Sequence, residues 1–168
     1  MQNHLVSGIL FNGKAAMITL LDLPNRPGIE GEILNRVSMA DIDVDMIAES
    51  VTDTGKNLTF SIERKDYKKT LKVMQELLTK ESNAAIESAS NVAKLSLAGI
   101  GMRSHAGVTY HMFKTLGEKD IHVRMITTSE TKISIIIDEK DVEQAIAALH
   151  DEFELKKGSK DRSPFMEI

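Results

Sequence analysis

The two halves of this 168-residue chain repeat one pattern of apolar and small residues. When Gly28 is aligned with Gly107, a core-like run in the first half falls on an equivalent run in the second half. The matched residues are Ile42, Val44, Met46, Ile47 and Ser50 in the first half and Ile121, Val123, Met125, Ile126 and Ser129 in the second. The spacing falls from 79 to 75 residues only across the turn-like stretch 52–57, after which Phe60 falls on Ile135. A length difference confined to a turn indicates two copies of one folding unit.

Each half has the hydrophobic pattern of a small unit of strands and helices. In the first half we predict strands at residues 17–23, 43–51, 57–63 and 84–90. We predict its helices at 27–40, where apolar residues recur at helical spacing, and from Asp66 onward. Gly55 marks a hairpin between the second and third strands. The order β-α-β-β-α-β predicts a ferredoxin-like fold of the α+β class.

The second half repeats this order but ends before its last strand. We predict strands at 93–100, 122–128 and 132–138, and helices at 106–116 and 141–153. The remaining strand candidate, residues 4–11, lies at the other end of the chain and is predicted to complete the second unit. The first unit is then inserted in the second. The predicted boundaries are 15–91 for the first unit, 1–14 with 92–155 for the second, and 156–168 for a flexible tail.

The composition argues against several classes of function. With a formal net charge of −4 and no basic cluster, we expect no binding of nucleic acid. No apolar run approaches the ~20 residues that a membrane helix requires, so we expect no membrane association. The absence of cysteine fits a cytoplasmic protein. The five histidines do not cluster, and no nucleophile stands at a suitable spacing from a base, so we predict neither a metal site nor a catalytic residue.

The loops before the first helix of each unit are candidate ligand-binding segments. They span residues 23–28 and 99–107 and carry glycines, which let a backbone approach a ligand closely. A helix N-terminus also presents free N–H groups and a positive dipole end to a carboxylate, a group that every free amino acid carries. Ordinary turn chemistry at a helix start explains the same residues, so both interpretations stay open.

Three aspartates alternate with apolar residues around the start of the predicted second strand, at Asp41, Asp43 and Asp45. Like charges on one face of a strand repel each other. The alternation therefore fits either a solvated strand edge or a patch that accepts a cation, such as the amine of a ligand. It does not fit a calcium loop, because Met46 stands where that loop requires glycine.

Three segments of the chain match the pattern of a known family. The most specific resembles a Gly-x-Gly-Met-x-Ser-His-x-Gly-Val signature and runs Gly99-Ile100-Gly101-Met102-Arg103-Ser104-His105-Ala106-Gly107-Val108-Thr109. Residues 122–130 resemble a strand that ends in Ile-Ser-Thr-Ser-Glu, and Ala147-Ala148-Leu149-His150 resembles part of a closing helix. On these residues the chain, from about residue 5 to 155, is similar to the regulatory region of the aspartate kinase family, which consists of two ACT domains.

This resemblance implies an allosteric role in the synthesis of amino acids derived from aspartate. Members of the family bind lysine, threonine or both at ACT interfaces, and the bound amino acids inhibit the kinase by feedback. The implied partners are a free amino-acid effector, a second copy of the chain in a homodimer, and an aspartate kinase catalytic domain. ATP and magnesium belong to that kinase domain, whose Lys-Phe-Gly-Gly start this chain lacks, so no cofactor is expected here.

The resemblance also implies two sets of effector-binding residues. The first set is Asn25, Arg26, Pro27, Gly28, Ile29, Glu30 and Glu49, joined by His122 and Val123 of a second copy. The second set is Asp43, Val44, Asp45, Val108, Thr109, Thr128 and Ser129. Four positions depart from the commonest family pattern, namely Asn25, Glu30, Glu49 and His122. Glu30 stands where a small residue is frequent and Glu49 where glutamine is, and these two acids change the charge of the first pocket.

Two other classes of function remain open from the sequence. The first is a free-standing ACT-type module that only forms dimers or senses a small molecule, without a kinase. The second is a small enzyme on the same fold, since a fold does not determine a function. The enzyme would need an acid–base pair or an activated nucleophile, and the residues do not suggest one.

Overall fold

The computed structural model describes residues 6–79, 83–100 and 106–155. In these residues the strands are β1 (Val6–Leu23), β2 (Val44–Val51), β3 (Lys56–Glu63), β4 (Ala85–Gly99), β5 (Val123–Thr128) and β6 (Lys132–Asp138). The helices are α1 (Ile29–Met39), α2 (Tyr67–Leu78), α3 (Ala106–Glu118) and α4 (Val142–Glu152). Short 3₁₀ turns, Arg64–Asp66 and Glu139–Asp141, lead into α2 and α4, so the repeat extends to the same local turn in both halves.

The chain divides into two compact units. Lys14–Asn91 forms one of them, which we call the first unit. The described residues on either side, 6–13 and 92–155, belong to the other, which we call the second unit. The division falls within β1, after Gly13, and within β4, after Asn91. Each of these two long strands therefore contributes one part to each unit.

The first unit is an antiparallel sheet with two helices packed on one face. Its strands lie in the order β2-β3-β1-β4. β1 pairs with β3 so that Ile18 lies opposite Phe60 and Leu23 opposite Lys56. Helices α1 and α2 contact each other and close the core over these strands. The core includes Ile18, Leu20, Ile33, Val37, Phe60 and Met74.

The second unit has the same arrangement. Its strands lie in the order β5-β6-β4-β1, with Leu95 of β4 opposite Ile135 of β6. The hydroxyl of Ser7, in the first part of β1, donates a hydrogen bond to the Ala98 carbonyl at 3.1 Å. Its core includes Ile9, Leu95, Leu97, Met112, Ile135 and Leu149. The predicted ferredoxin-like order and the α+β class are confirmed in both halves.

The lengths of two strands differ from the prediction. The strands predicted separately at 4–11 and 17–23 form the single strand β1, apart from residues 4 and 5, which lie outside the described part. Likewise 84–90 and 93–100 correspond to the single strand β4, Ala85–Gly99. Asn12 and Gly13, residues that are uncommon in strands, do not end β1, because a strand is maintained by pairing with its neighbours as well as by local preference.

Three sequence predictions concern residues outside the described part of the chain. These are the glycine and histidine loop at 101–105, the tail at 156–168 and the first residues of the N-terminal strand. Among the helices that the structure describes, none combines the length and the apolar character needed to cross a membrane.

Candidate functional site

The loop before α1 takes its shape from Gly28. This residue has a φ of 91°, in the left-handed region that residues with a Cβ rarely adopt, and it occupies the N-cap position of α1. The Arg26 N–H donates to the Pro24 carbonyl at 2.9 Å and closes a tight turn just before it. The prediction that the helix starts at residue 27 is therefore wrong by two residues. Helical geometry begins only after the left-handed residue, at Ile29.

The side chains of this loop are placed very differently. Asn25 and Pro27 are exposed, whereas Ile29 is buried in the core of the first unit. The Arg26 guanidinium donates two hydrogen bonds to the Glu32 carboxylate, at 2.6 and 2.7 Å. These bonds lower the pKa of Glu32. The cation of the loop is thus already paired with an acid from the first turn of α1.

A second charged group lies beside the loop, centred on Lys56. The Lys56 side chain is only 9% exposed, and its ammonium donates hydrogen bonds to the carboxylates of Glu30 and Glu49. The Nζ–Oε1 distance to Glu49 is 3.2 Å. Glu30 comes from the first turn of α1 and Glu49 from β2, so one buried ammonium joins three elements of the first unit. We call Lys56, Glu30 and Glu49 the lysine cluster.

The register of the sheet explains why Lys56 meets Glu49. In the β2–β3 pair, Lys56 lies opposite Val51 and Glu49 opposite Leu58. Glu49 is two residues from Val51, so it projects from the same face as Lys56 at a diagonal position, within reach of a long side chain. Lys56 also lies opposite Leu23 at the end of β1, from which the loop leads to α1 and Glu30.

The pairing within the lysine cluster shifts the pKa values of Glu30 and Lys56. The hydrogen bond from the Lys56 ammonium lowers the pKa of Glu30 to about 2, and a smaller contribution comes from the backbone N–H of Glu30 itself. The same bond to Glu30, with a smaller contribution from Glu49, raises the pKa of Lys56. Both groups therefore favour folding when charged. The Glu30 contribution is present above its unfolded pKa near 4.5 and is lost toward pH 2. The Lys56 contribution is present below pH 10.5 and is lost only above it.

Sequence reasoning identified two members of this cluster but missed the third. Glu30 and Glu49 stood out because they are acids where the family usually has neutral residues. Lys56 appeared as an ordinary residue at the start of a strand. The available signal was charge compensation, since two acids near one buried surface require a cation.

The acidic residues of the second predicted set lie at the start of β2. Asp43 and Asp45 are exposed and Val44 is half-buried. The strand begins at Val44, one residue later than predicted, so Asp43 precedes it. The negative charge of Asp43 contributes to the raised pKa of Lys65, after the larger effect of a hydrogen bond from Lys65 to Glu63. The two aspartates are thus on the surface of the first unit. Both a solvated strand edge and a patch that accepts a cation require this exposure.

The remaining predicted residues belong to the second unit. Val108 is 0% exposed and packs in the core from α3, so only its main chain is available to a ligand. Thr109 is half-buried beside it. His122 is exposed and Val123 is half-buried where β5 begins. Thr128 and Ser129 are exposed where β5 ends, and the Ser129 hydroxyl accepts a hydrogen bond from the Lys132 N–H at 3.0 Å, which tightens the β5–β6 turn.

Within the described residues, no group of three or more His, Cys, Asp and Glu side chains is arranged to hold a metal ion. His111 has a close polar partner, since its Nδ1 lies 2.6 Å from a Glu152 carboxylate oxygen on the neighbouring helix α4. In the first unit the structure brings together Glu30 and Glu49 of the first predicted set. The charged side chains beside the N-terminus of α1 are paired with one another within the first unit.

Comparisons with known proteins agree with this geometry. A family model described as an ACT domain matches residues 95–153. The chain is 41% identical over 156 residues to an aspartate kinase of Stutzerimonas stutzeri (strain A1501), which covers 92% of this chain and 38% of that protein. A crystal structure of aspartokinase alpha and beta subunits contains a chain with 41% identity and a TM-score of 0.82, covering 89% of this chain and 99% of that one. The ligand-free regulatory subunit of aspartate kinase from Thermus thermophilus has 27% identity and a TM-score of 0.82, with the same coverage of 89% and 99%.

These matches and the repeated ferredoxin-like units define an ACT-domain regulatory protein. The chain spans 38% of the length of the curated kinases that it matches, and 99% of the Thermus regulatory subunit. It belongs to the aspartokinase family, in which it corresponds to the regulatory part of the kinase.

Proposed function

We propose that this chain is the part of an aspartokinase that binds a free amino acid and thereby controls phosphorylation of aspartate. The effector is lysine, threonine or both, and the control is feedback inhibition in the cytoplasm. The observation that carries this proposal is that 89% of this chain corresponds to 99% of a regulatory subunit of aspartate kinase. ATP and magnesium are assigned to the kinase part of such an enzyme and not to these residues.

The physical mechanism is linkage between effector binding and the arrangement of the assembly. An amino acid that binds one arrangement more tightly than another shifts the population toward it, by no more than the difference in its affinities. The kinase domain, in contact with this chain, then responds to that shift, with a coupling free energy of typically 1–3 kcal/mol. We propose that two copies of the chain pair through their ACT units and that the kinase domain is the further partner.

Of the two predicted residue sets, we propose that the second receives the effector. Asp43 and Asp45 are exposed carboxylates that suit the amine of an amino acid. Thr128 and Ser129 are exposed hydroxyl groups at the end of β5, and Val108 and Thr109 contribute backbone groups from the first turn of α3. In the first set, the charged side chains of Arg26, Glu30 and Glu49 are paired within the same unit.

We also propose that the first unit is inserted in the second, so that the N-terminal strand completes the second unit. The support is that Ile9 belongs to the same core as Leu95 and Leu149, whereas Ile18 of the same strand belongs to the core with Phe60.

A melting-temperature screen tests the proposed function. Lysine, threonine and their mixture are added to the protein at concentrations up to ~100 times Kd. A ligand that binds only the folded state stabilises it by about 2.7 kcal/mol at that concentration. For a chain of this size we expect the melting temperature to rise by about 5–10 °C with at least one of the two amino acids.

The D-enantiomers of both amino acids serve as the control, because they have the same charge and ionic strength but place their groups differently. They are expected to leave the melting temperature within about 1 °C of the free protein, since they gain no comparable binding energy. A tight dimer whose melting temperature responds to neither L-lysine nor L-threonine, singly or together, would contradict the proposal and favour a module that only dimerises.

A further inference from the structure

A free amino acid brings one carboxylate and one ammonium to its binding site. A site for it needs hydrogen-bond donors for the carboxylate, such as the N–H groups of a helix N-terminus, and acceptors for the ammonium. The first unit has both kinds of partner close together. The N-terminal turn of α1 supplies backbone N–H groups, and Glu30 and Glu49 supply carboxylates.

These partners are already used by side chains of the same unit. The Glu30 carboxylate accepts a hydrogen bond from the backbone N–H of Glu30 at the start of α1. The Lys56 ammonium donates to both Glu30 and Glu49. The guanidinium of Arg26, a second possible partner for a carboxylate, donates twice to Glu32. The unit thus supplies for itself both charges that an amino acid would bring.

The burial of Lys56 makes this arrangement hard to displace. Its side chain is 9% exposed, and a ligand amine that replaced it would leave the Lys56 ammonium without an acid partner at the same position. An unpaired buried charge is strongly unfavourable, whereas an exposed ion pair is readily exchanged for water. The Lys65–Glu63 pair of the same unit, with side chains 71% and 53% exposed, is of the second kind.

We propose that Lys56 is a specificity-determining residue, whose ammonium occupies the cation position between Glu30 and Glu49 so that the first unit takes no free amino acid. This inference rests on the proposed function and limits it to one bound effector per chain. In a chain whose cluster residues are neutral, the same loop is open to an amino acid.

Isothermal titration calorimetry with L-threonine and L-lysine tests the proposal on three proteins. These are the wild-type chain, the cluster variant E30A/E49Q/K56T, and the control variant E63Q/K65T, which removes an exposed ion pair from the same unit. We expect one amino acid per chain in the wild type and in the control, and two per chain in the cluster variant. For this additional amino acid, we expect a Kd in the cluster variant at least ~10-fold lower than any Kd for a second amino acid in the wild type.

Two results would overturn the proposal: two amino acids bound per wild-type chain, or no additional amino acid bound by the cluster variant. A wild-type chain that binds none would instead contradict the proposed function. In that case a gain of one amino acid by the cluster variant still supports the role of Lys56, and no gain overturns it.

A second measurement does not depend on the folding of a variant. The ammonium of a buried, paired lysine exchanges its protons slowly with water and is observable by ¹H–¹⁵N correlation NMR of the wild-type protein. We expect the Lys56 signal to keep its position at saturating threonine and lysine. Displacement of that signal by either amino acid would show that the ligand enters the cluster and would overturn the proposal.

Discussion

Replacing Ile9 by alanine is expected to reduce the free energy of unfolding by about 2–5 kcal/mol, with the loss confined to the second unit. Ile9 is 1% exposed and packs in the core cluster that contains Leu95, Ile135 and Leu149. Removal of its side chain leaves a cavity among residues that lie more than 80 positions away in the chain. The effect is large because the core of a small unit relaxes only partly around a cavity.

The matched control for this prediction lies in the same strand. Ile18 is 0% exposed, but it packs with Leu20, Ile33 and Phe60 in the core of the first unit. Ile18→Ala is expected to cost a similar ~2–5 kcal/mol and to destabilise residues 14–91 instead. Hydrogen exchange followed by mass spectrometry distinguishes the two patterns, because it reports protection segment by segment. Equal loss of protection in both units for either variant would contradict the proposed insertion.

Gly55→Ala is expected to destabilise the first unit by about 1–3 kcal/mol and to disturb the loop before α1. A Cβ built on Gly55 would lie 2.3 Å from the carbonyl oxygen of Leu23, an approach that only a backbone shift can relieve. Leu23 lies opposite Lys56 in the sheet and leads into the loop that carries Arg26. A shift there therefore moves both the start of the loop and the position of the Lys56 ammonium.

Gly31→Ala is the control for this substitution. Gly31 lies in α1, and a Cβ at this position would meet no atom within 4 Å. Since alanine is favoured over glycine in a helix, the variant is expected to be more stable by about 0.5–1 kcal/mol. Urea denaturation of both variants provides the measurement. A Gly55→Ala protein as stable as the wild type would show that the loop tolerates the shift and is not rigidly tied to the hairpin.

Much of the fold follows from the sequence because hydrophobic periodicity is a local property. The spacing of Ile29, Ile33 and Val37 predicts the buried face of α1, and all three are buried. The start of the helix could not be predicted as well, because it depends on the left-handed backbone of Gly28. A glycine permits that conformation but does not require it.

The long strands show the limit of local reasoning. Asn12 and Gly13 have the composition of a turn, yet they lie within β1. Whether a strand continues through such residues depends on the partners beside it, and pairing is a long-range property. The boundary between the units therefore falls inside a strand and not in a loop, where sequence reasoning would look for it.

Two residues of the candidate site could be predicted from the sequence, but the ion pairs that join them to Lys56 could not. The unusual acids Glu30 and Glu49 are visible in the sequence, as is the loop that precedes α1. Their joint pairing with Lys56 depends on the register of β2 and β3 and on the position of α1 over the sheet. Residue spacing alone does not supply that information, because the contacts join elements that are distant in the chain.

The most direct test of the central proposal is the rate of aspartate phosphorylation by the complete kinase that contains this chain, measured against lysine and threonine, singly and together. We predict that the rate falls by at least ~10-fold with one of the amino acids or with both, and that the kinase without this chain no longer responds. A complete kinase whose rate is unchanged by lysine, threonine and their mixture would contradict the proposal that this chain is its effector-binding regulatory part.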